Sequence, residues 1–212
     1  MRLIGMLDSP YVRRVAVSLR LMELPFIHEP VSVFRDFDHF ASLNPVVKAP
    51  SLIIDHGTVL MESTLILDYL DRLAAPELRL TPTDLDQYRR AQRVIGVALA
   101  ACEKAVQILY EVNLRPQEKR HEPWLARVGG QLGAALTLLD AEIPADGAWL
   151  FCDRPMQADI TAAVAFHFTR AVESFIPGVP GPSSGLAALS ERAEAMAAFA
   201  DYRLDGASVS SD

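Results

Sequence analysis

The apolar pattern of this chain changes period once, near residue 75, and that change limits the fold more than any other feature. Before it, short apolar runs alternate with amphipathic stretches; after it, apolar residues recur only every three or four positions. Leu3-Ile4-Gly5-Met6-Leu7 is a run fit for a buried strand. Ser9 and Pro10 suit an N-cap and a first helical position, and Val12, Val15, Ala16 and Leu19 form one helical stripe ending before Pro25. Phe26-Ile27-His28 gives a second strand, a polar helix covers residues 35–42, and Asn44-Pro45 stops it. Residues 50–54 and 58–60 flank Asp55-His56-Gly57 as a hairpin. Residues 62–73 are helical again, with Ile66, Tyr69, Leu70 and Leu73 on one face.

A β-α-β unit sets its two strands parallel, and a hairpin sets the next pair antiparallel. The predicted product over residues 1–75 is a small mixed sheet flanked by helices, as in thioredoxin-like domains. Residues 76–85 read as a linker carrying Pro76 and Pro82. Residues 86–203 show four helical stripes and no strand. The first is Tyr88, Ala91, Ile95, Ala98, Cys102, Ala105 and Leu109; the second Leu125, Val128, Leu132, Leu136 and Leu139. The third is Ile160, Ala163, Val164, Phe168 and Ala171; the fourth Leu186, Leu189, Ala193 and Met196. Ile176-Pro177-Gly178-Val179-Pro180-Gly181-Pro182 reads as a rigid loop, and residues 204–212 as a polar tail without order. The expected fold class is α/β plus all-α: an N-terminal thioredoxin-like domain followed by an all-helical C-terminal domain.

Half of the 212 residues are apolar, enough to fill cores of this size. The net charge of -7 repels a phosphate backbone and an anionic bilayer, so neither nucleic acid nor membrane is an expected partner. Cys102 and Cys152 are too few for a disulfide framework or a four-ligand zinc site, and the five histidines show no metal spacing; no metal is expected. Cys102 lies on an apolar stripe, and both cysteines read as structural. The longest apolar run, residues 94–102, is far short of the roughly 20 residues that span a bilayer. Asp8 comes too early for a secretory leader. A reducing cytoplasm is the expected compartment.

Three places can carry chemistry. A strand delivers Ser9 to a helix mouth, where unpaired N–H groups and partial positive charge favour an anion. The Ser9 hydroxyl can donate to that anion while its oxygen caps the helix; from spacing alone an ordinary cap is the more common case. Val47-Lys48-Ala49-Pro50 precedes the hairpin. Only about 5–6% of X-Pro bonds are cis, so sequence alone favours trans, and Lys48 reads as a solvated lysine. Glu62-Ser63 opens the third helix. Its N–H groups and hydroxyl can hold a carboxylate and Glu62 an ammonium, or both can be helix-start chemistry alone. Arg13 and Arg14 read as solvated or structural, either able to steer an acidic ligand.

Taken in order, Ser9-Pro10-Tyr11-Val12-Arg13-Arg14-Val15, Asn44-Pro45-Val46-Val47-Lys48-Ala49-Pro50 and Glu62-Ser63 resemble the cytosolic glutathione transferase family. The likeness is to its serine-type classes, and among them to the plant tau class and its bacterial relatives. With the helical second half, the resemblance covers nearly the whole chain. It implies that Ser9 is the catalytic hydroxyl that bonds the glutathione sulfur. It implies that Pro50 is cis and that the Ala49 backbone pairs with the cysteinyl part of glutathione. It further implies that Glu62 and Ser63 bind the γ-glutamyl group and that Lys48 lies near the glycyl carboxylate. Residues implied near a hydrophobic electrophile, held between the domains, are Tyr11, Phe34, Val106 and Tyr110. The implied activity is conjugation of glutathione as co-substrate, with isomerisation, peroxide reduction or a non-catalytic binding role as alternatives. A homodimer is the implied assembly.

Two positions depart from the family pattern. Ala49 replaces a bulkier aliphatic residue, which backbone pairing survives. Met156 holds the Ser/Thr position of a Ser/Thr-x-x-Asp capping box that ends at Asp159, so Asp159 is expected to lack a reciprocal partner.

Overall fold

Strand β1 (Arg2–Ile4) is shorter than its apolar run because Gly5, at φ 135°, turns the chain out of the ladder. A computed structural model of the chain describes residues 1–170 and 184–202. In it, β1 pairs in parallel with β2 (Ile27–Glu29) and antiparallel with β3 (Ser51–Ile53), which pairs antiparallel with β4 (Val59–Met61). The sheet order is β2-β1-β3-β4. Leu3 stands opposite both His28 and Leu52, and Leu3, Ile4 and Leu52 are fully buried.

Helix α1 (Pro10–Leu21) covers this sheet with the expected stripe, all of it buried. It is joined by α2 (Phe37–Leu43) and α3 (Ser63–Leu73). Between β3 and β4 the chain turns through Asp55–Gly57, with His56 at φ 62°. The mixed topology follows from connection length: α1 makes the crossover that a parallel pair needs, whereas the short connection over residues 54–58 admits only an antiparallel one.

The remaining helices are α4 (Leu85–Asn113), α5 (Glu122–Asp140), α6 (Gln157–Arg170), α7 (Ser184–Glu194) and α8 (Ala197–Ala200). α4 packs on both α5 and α6, and α6 on α7. α6 is buried on nearly every side from Gln157 to Thr169, the mark of a central helix rather than an amphipathic cover. In α4 the last buried apolar residue is Ile108 rather than Leu109, and Tyr88 is 40% exposed. The stripe of Leu186, Leu189 and Ala193 is buried, but Met196 begins a separate helix. Ala171, the proline-rich loop and the tail lie outside the described residues.

The chain forms two units. One contains residues 1–80 and returns at residues 196–202; the other contains residues 81–195. α8 packs on α1, where the buried Arg13 donates from Nε to the Tyr202 carbonyl at 2.8 Å and from Nη2 to the Phe199 carbonyl at 3.5 Å. A guanidinium thereby supports the C-terminal end of α8, where the Phe199 carbonyl also accepts the Tyr202 N–H at 3.1 Å. Phe26 and Tyr202 stack beside it with ring centroids 5.8 Å apart. Arg13 and Arg14 are each 1% exposed, which overturns their reading as solvated and leaves the structural one.

Candidate functional site

Helix α1 starts at a real cap. Ser9 is extended (φ -75°, ψ 121°), and its Oγ accepts the Val12 N–H at 3.4 Å. That bond uses a lone pair and leaves the hydroxyl hydrogen, for which no acceptor stands among the described residues. Preceding it, Asp8 has its carboxyl pushed above the usual carboxylate range by burial, against the opposing pull of the Ser9 N–H and of Arg35. Gly5 is there because nothing larger fits. A Cβ would stand 2.7 Å from Val12 Cγ2 and 3.2 Å from the Ala49 Cβ, so this glycine lets β1, α1 and the loop of Ala49 meet. His28 Nε2 lies 2.8 Å from the Gly5 carbonyl and holds the same turn.

The loop before β3 is braced from beneath. Buried Asn44 donates to Ser51 Oγ at 2.8 Å and accepts from the Val46 N–H at 3.0 Å, and Ser51 Oγ donates to the Lys48 carbonyl at 2.7 Å. Val47 is held at φ 51°, a region that β-branched residues rarely enter. The Ala49–Pro50 peptide bond is cis. Among the described residues, neither the N–H nor the C=O of Ala49 has a hydrogen-bond partner. An extended peptide can therefore pair there, strand to strand. Pro50 is buried and the Lys48 side chain is exposed.

At the mouth of α3, Glu62 stands at φ 72°, ψ 119°, strained for any residue but glycine. Its carboxylate folds over the helix end and accepts the N–H groups of Thr64 (3.1 and 3.2 Å) and Leu65 (3.2 Å). Buried Ser63 donates its hydroxyl to Glu62 Oε1 at 3.4 Å, and its own N–H has no partner among the described residues. The helix end is thus an anion site whose present anion is its own side chain. Beneath it lies Arg14, whose Nη1 donates to Ser63 Oγ at 3.1 Å and to Thr64 Oγ1 at 3.4 Å. The sequence order hid this contact, because 49 residues separate the partners.

Ser9, Ala49, Pro50, Glu62 and Ser63 all lie in the first unit; Val12 of α1 and Ala49 both flank Gly5, and Arg14 of α1 reaches α3. Of the residues expected near an electrophile, Tyr11 is on α1 and Phe34, 55% exposed, on the loop before α2. Val106 and Tyr110 lie on α4 in the second unit, Tyr110 46% exposed. Cys102 is buried as expected, but Cys152 is exposed, its thiol donating to the Arg154 carbonyl at 3.3 Å; its structural reading is corrected. No described helix is long and apolar enough to cross a membrane.

The Asp159 expectation is also corrected. Although Met156 supplies no hydroxyl, the fully buried Asp159 carboxylate accepts the N–H of Met156 and that of Leu150, each at 2.9 Å. One half of a capping box survives, and the second oxygen ties the preceding loop to α6.

Comparison with known proteins points one way. Residues 3–78 match the family model "Glutathione S-transferase, N-terminal domain", and residues 122–202 match "Glutathione S-transferase, C-terminal domain". Maleylacetoacetate isomerase of Pseudomonas aeruginosa is 31% identical over 160 residues, covering 69% of this chain and 71% of that protein. Glutathione S-transferase U3 of Arabidopsis thaliana is 37% identical over 73 residues, 34% of this chain and 32% of its own length. Among solved structures, a glutathione S-transferase from Methylobacterium radiotolerans in complex with glutathione sulfonate has a TM-score of 0.85 at 29% identity, covering 95% of this chain and 93% of that one. A glutathione transferase family member from Pseudomonas fluorescens with bound glutathione has a TM-score of 0.81 at 27% identity, covering 95% and 98%. With both family models matched in order along its length, the chain belongs to the glutathione S-transferase family.

Proposed function

We propose that this chain is a glutathione transferase that binds glutathione along Ala49, Glu62 and Ser63, with the sulfur at Ser9, and conjugates it to a hydrophobic electrophile. The observation that carries the reading is a match of unused groups. The Ser9 hydroxyl hydrogen, both backbone groups of Ala49 and the Ser63 N–H have no partner among the described residues, and all lie in the first unit. A γ-glutamyl peptide offers what each lacks: a thiolate, a peptide edge and an α-carboxylate. Glu62 answers the ammonium once its own carboxylate leaves the helix end, and Lys48 meets the glycyl carboxylate. Tyr11, Phe34, Val106 and Tyr110 are the proposed contacts for the electrophile.

The chemistry follows from electrostatics. A hydrogen bond to an ionised acceptor is roughly twice as strong as a neutral one, so the Ser9 hydroxyl and the α1 N-terminus favour the thiolate over the thiol. The thiol proton goes to solvent, the sulfur forms a bond to the electrophilic carbon, and the leaving group departs with its electron pair. A second reading, isomerisation, is favoured by the likeness to maleylacetoacetate isomerase. There the thiolate adds to a double bond and is expelled again, so no glutathione is consumed. A homodimer acting in detoxification in the cytoplasm is part of the same proposal.

Thiol stoichiometry separates the outcomes. With a chloronitrobenzene, one glutathione is expected to disappear per product formed. Turnover of a maleyl compound without thiol loss, and none of the aryl chloride, supports the isomerase instead. Peroxide-dependent oxidation of glutathione supports a peroxidase. Failure to bind glutathione at millimolar concentration leaves only a non-catalytic protein and sinks the proposal.

A further inference from the structure

Arg14 is among the largest fully buried side chains of the chain, at 1% exposure. A guanidinium is rarely placed so deep, because desolvating its charge must be offset by well-made hydrogen bonds. Two of those it makes go to one place, the first turn of α3, where Nη1 reaches Ser63 Oγ at 3.1 Å and Thr64 Oγ1 at 3.4 Å. Arg13, its equally buried neighbour, points elsewhere, to the carbonyls of Phe199 and Tyr202. The two arginines therefore separate into one that ties α1 to α8 and one that lies under the Glu62-Ser63 turn.

A serine hydroxyl has one hydrogen and two lone pairs. Donation from Arg14 fills a lone pair of Ser63 from inside the protein and leaves its hydrogen to point outward, where it now meets Glu62 Oε1 at 3.4 Å. Donation from a cation also polarises the O–H and strengthens it as a donor. The buried positive charge adds to the partial charge of the α3 N-terminus, behind the spot that the Glu62 carboxylate occupies through the Thr64 and Leu65 N–H groups.

We infer that Arg14 is a positioning residue for a ligand α-carboxylate at the mouth of α3, acting through the Ser63 hydroxyl and the field at the helix end, and that it sets the preference of this site for an anionic head group. This rests on the proposed glutathione reading. It assigns selectivity for one charged group of the peptide, apart from the chemistry at the sulfur, to a residue that never touches the ligand.

The test compares binding of glutathione with that of an analogue whose γ-glutamyl α-carboxylate is replaced by a carboxamide, in wild type, Arg14→Met, Arg14→Gln, Arg14→Lys and, as a control for a lost buried arginine, Arg13→Met. Wild type is expected to prefer glutathione. Both neutral Arg14 variants are expected to lose about tenfold of that preference, the scale of one hydrogen bond to a charged group. Binding of the carboxamide and the pH midpoint of turnover stay within about twofold and a few tenths of a unit of wild type, since the donors and the charge that are removed face the first turn of α3 and not the sulfur. Arg14→Lys retains most of the preference, and Arg13→Met changes thermal stability without changing it. If Arg14→Met does not fold, Arg14→Gln, which keeps an N–H donor in the buried position, decides the matter. Equal weakening of both ligands, or an unaltered preference in the Gln variant, overturns the inference. Absence of glutathione binding by wild type overturns the underlying reading instead.

Discussion

Replacing Ser9 with Ala removes two bonds that the structure allows to be weighed separately. The first is the cap. Its 3.4 Å length exceeds the 2.9–3.0 Å typical of N–H···O bonds, so its loss belongs at the low end of cap substitutions, about 0.5–1 kcal/mol. For a chain of this size that lowers the melting temperature by only about 1–3 °C. The second is the proposed bond from the hydroxyl to the thiolate. A hydrogen bond to a charged group contributes about 1.5–3 kcal/mol, which corresponds to about 1–2 units in the thiol pKa. The α1 N-terminus remains in the variant, so its thiol still titrates at or below the free value of about 8.5. The assay is kcat/KM for chloronitrobenzene conjugation from mildly acidic to alkaline pH, with thiolate absorbance in the binary complex as an independent readout. The variant is expected to fall by about one to two orders of magnitude below neutrality and to converge on wild type as pH rises. A melting shift of the stated size with an unmoved pH midpoint means that Ser9 is a cap and nothing more, and the thiolate argument fails.

Other consequences concern the frame around the site. Gly5→Ala places a methyl 2.7 Å from Val12 Cγ2 at φ 135°, and should destabilise by about 2 kcal/mol or more. Because the same glycine abuts Ala49, the KM for glutathione should rise as well; a variant with wild-type melting and KM contradicts the close-packing account. Asp159→Ala leaves the Leu150 and Met156 N–H groups without their acceptor, which should cost about 3 kcal/mol; urea unfolding checks this, and a loss under about 1 kcal/mol shows that water replaces the carboxylate. Burial pushes Asp159 up to about 6, against the Met156 and Leu150 N–H bonds and the Arg90 charge that favour its ionised form. Protonation therefore favours the folded state. The stabilisation is complete below the unfolded value near 3.8 and is lost as pH rises through 6, in total about 3 kcal/mol. Between pH 7 and pH 5, wild type should gain urea stability relative to Asp159→Asn, and parallel profiles refute the assignment.

What was legible in the sequence was mostly local. Most strands and helices of the first unit appeared within a residue or two of their places, β1 excepted, because period and punctuation are properties of neighbouring residues: the strand-to-helix step at Ser9-Pro10, the stop at Asn44-Pro45, the turn at Asp55-His56-Gly57. Errors arose where burial depends on what packs from the other side. Tyr88 continues the α4 stripe yet is exposed, Met196 continues the α7 stripe yet starts α8, and Cys152 lies outside any core. The site was visible as three short pieces, and their family likeness, rather than base rates, pointed to a cis bond before Pro50.

Composition and order along the chain determined a mixed small sheet followed by helices, and which residues begin helices with a free hydroxyl or carboxylate. Only the folded molecule decided where charges go once water is removed. Arg13 and Arg14 are adjacent and chemically identical, yet a helix turns successive side chains about 100° apart, so one answers the carbonyls around α8 and the other the first turn of α3. Asp159, without the hydroxyl that its pattern calls for, found a second N–H on a loop nine residues away. Such partners are set by packing across the chain, and no local pattern encodes them.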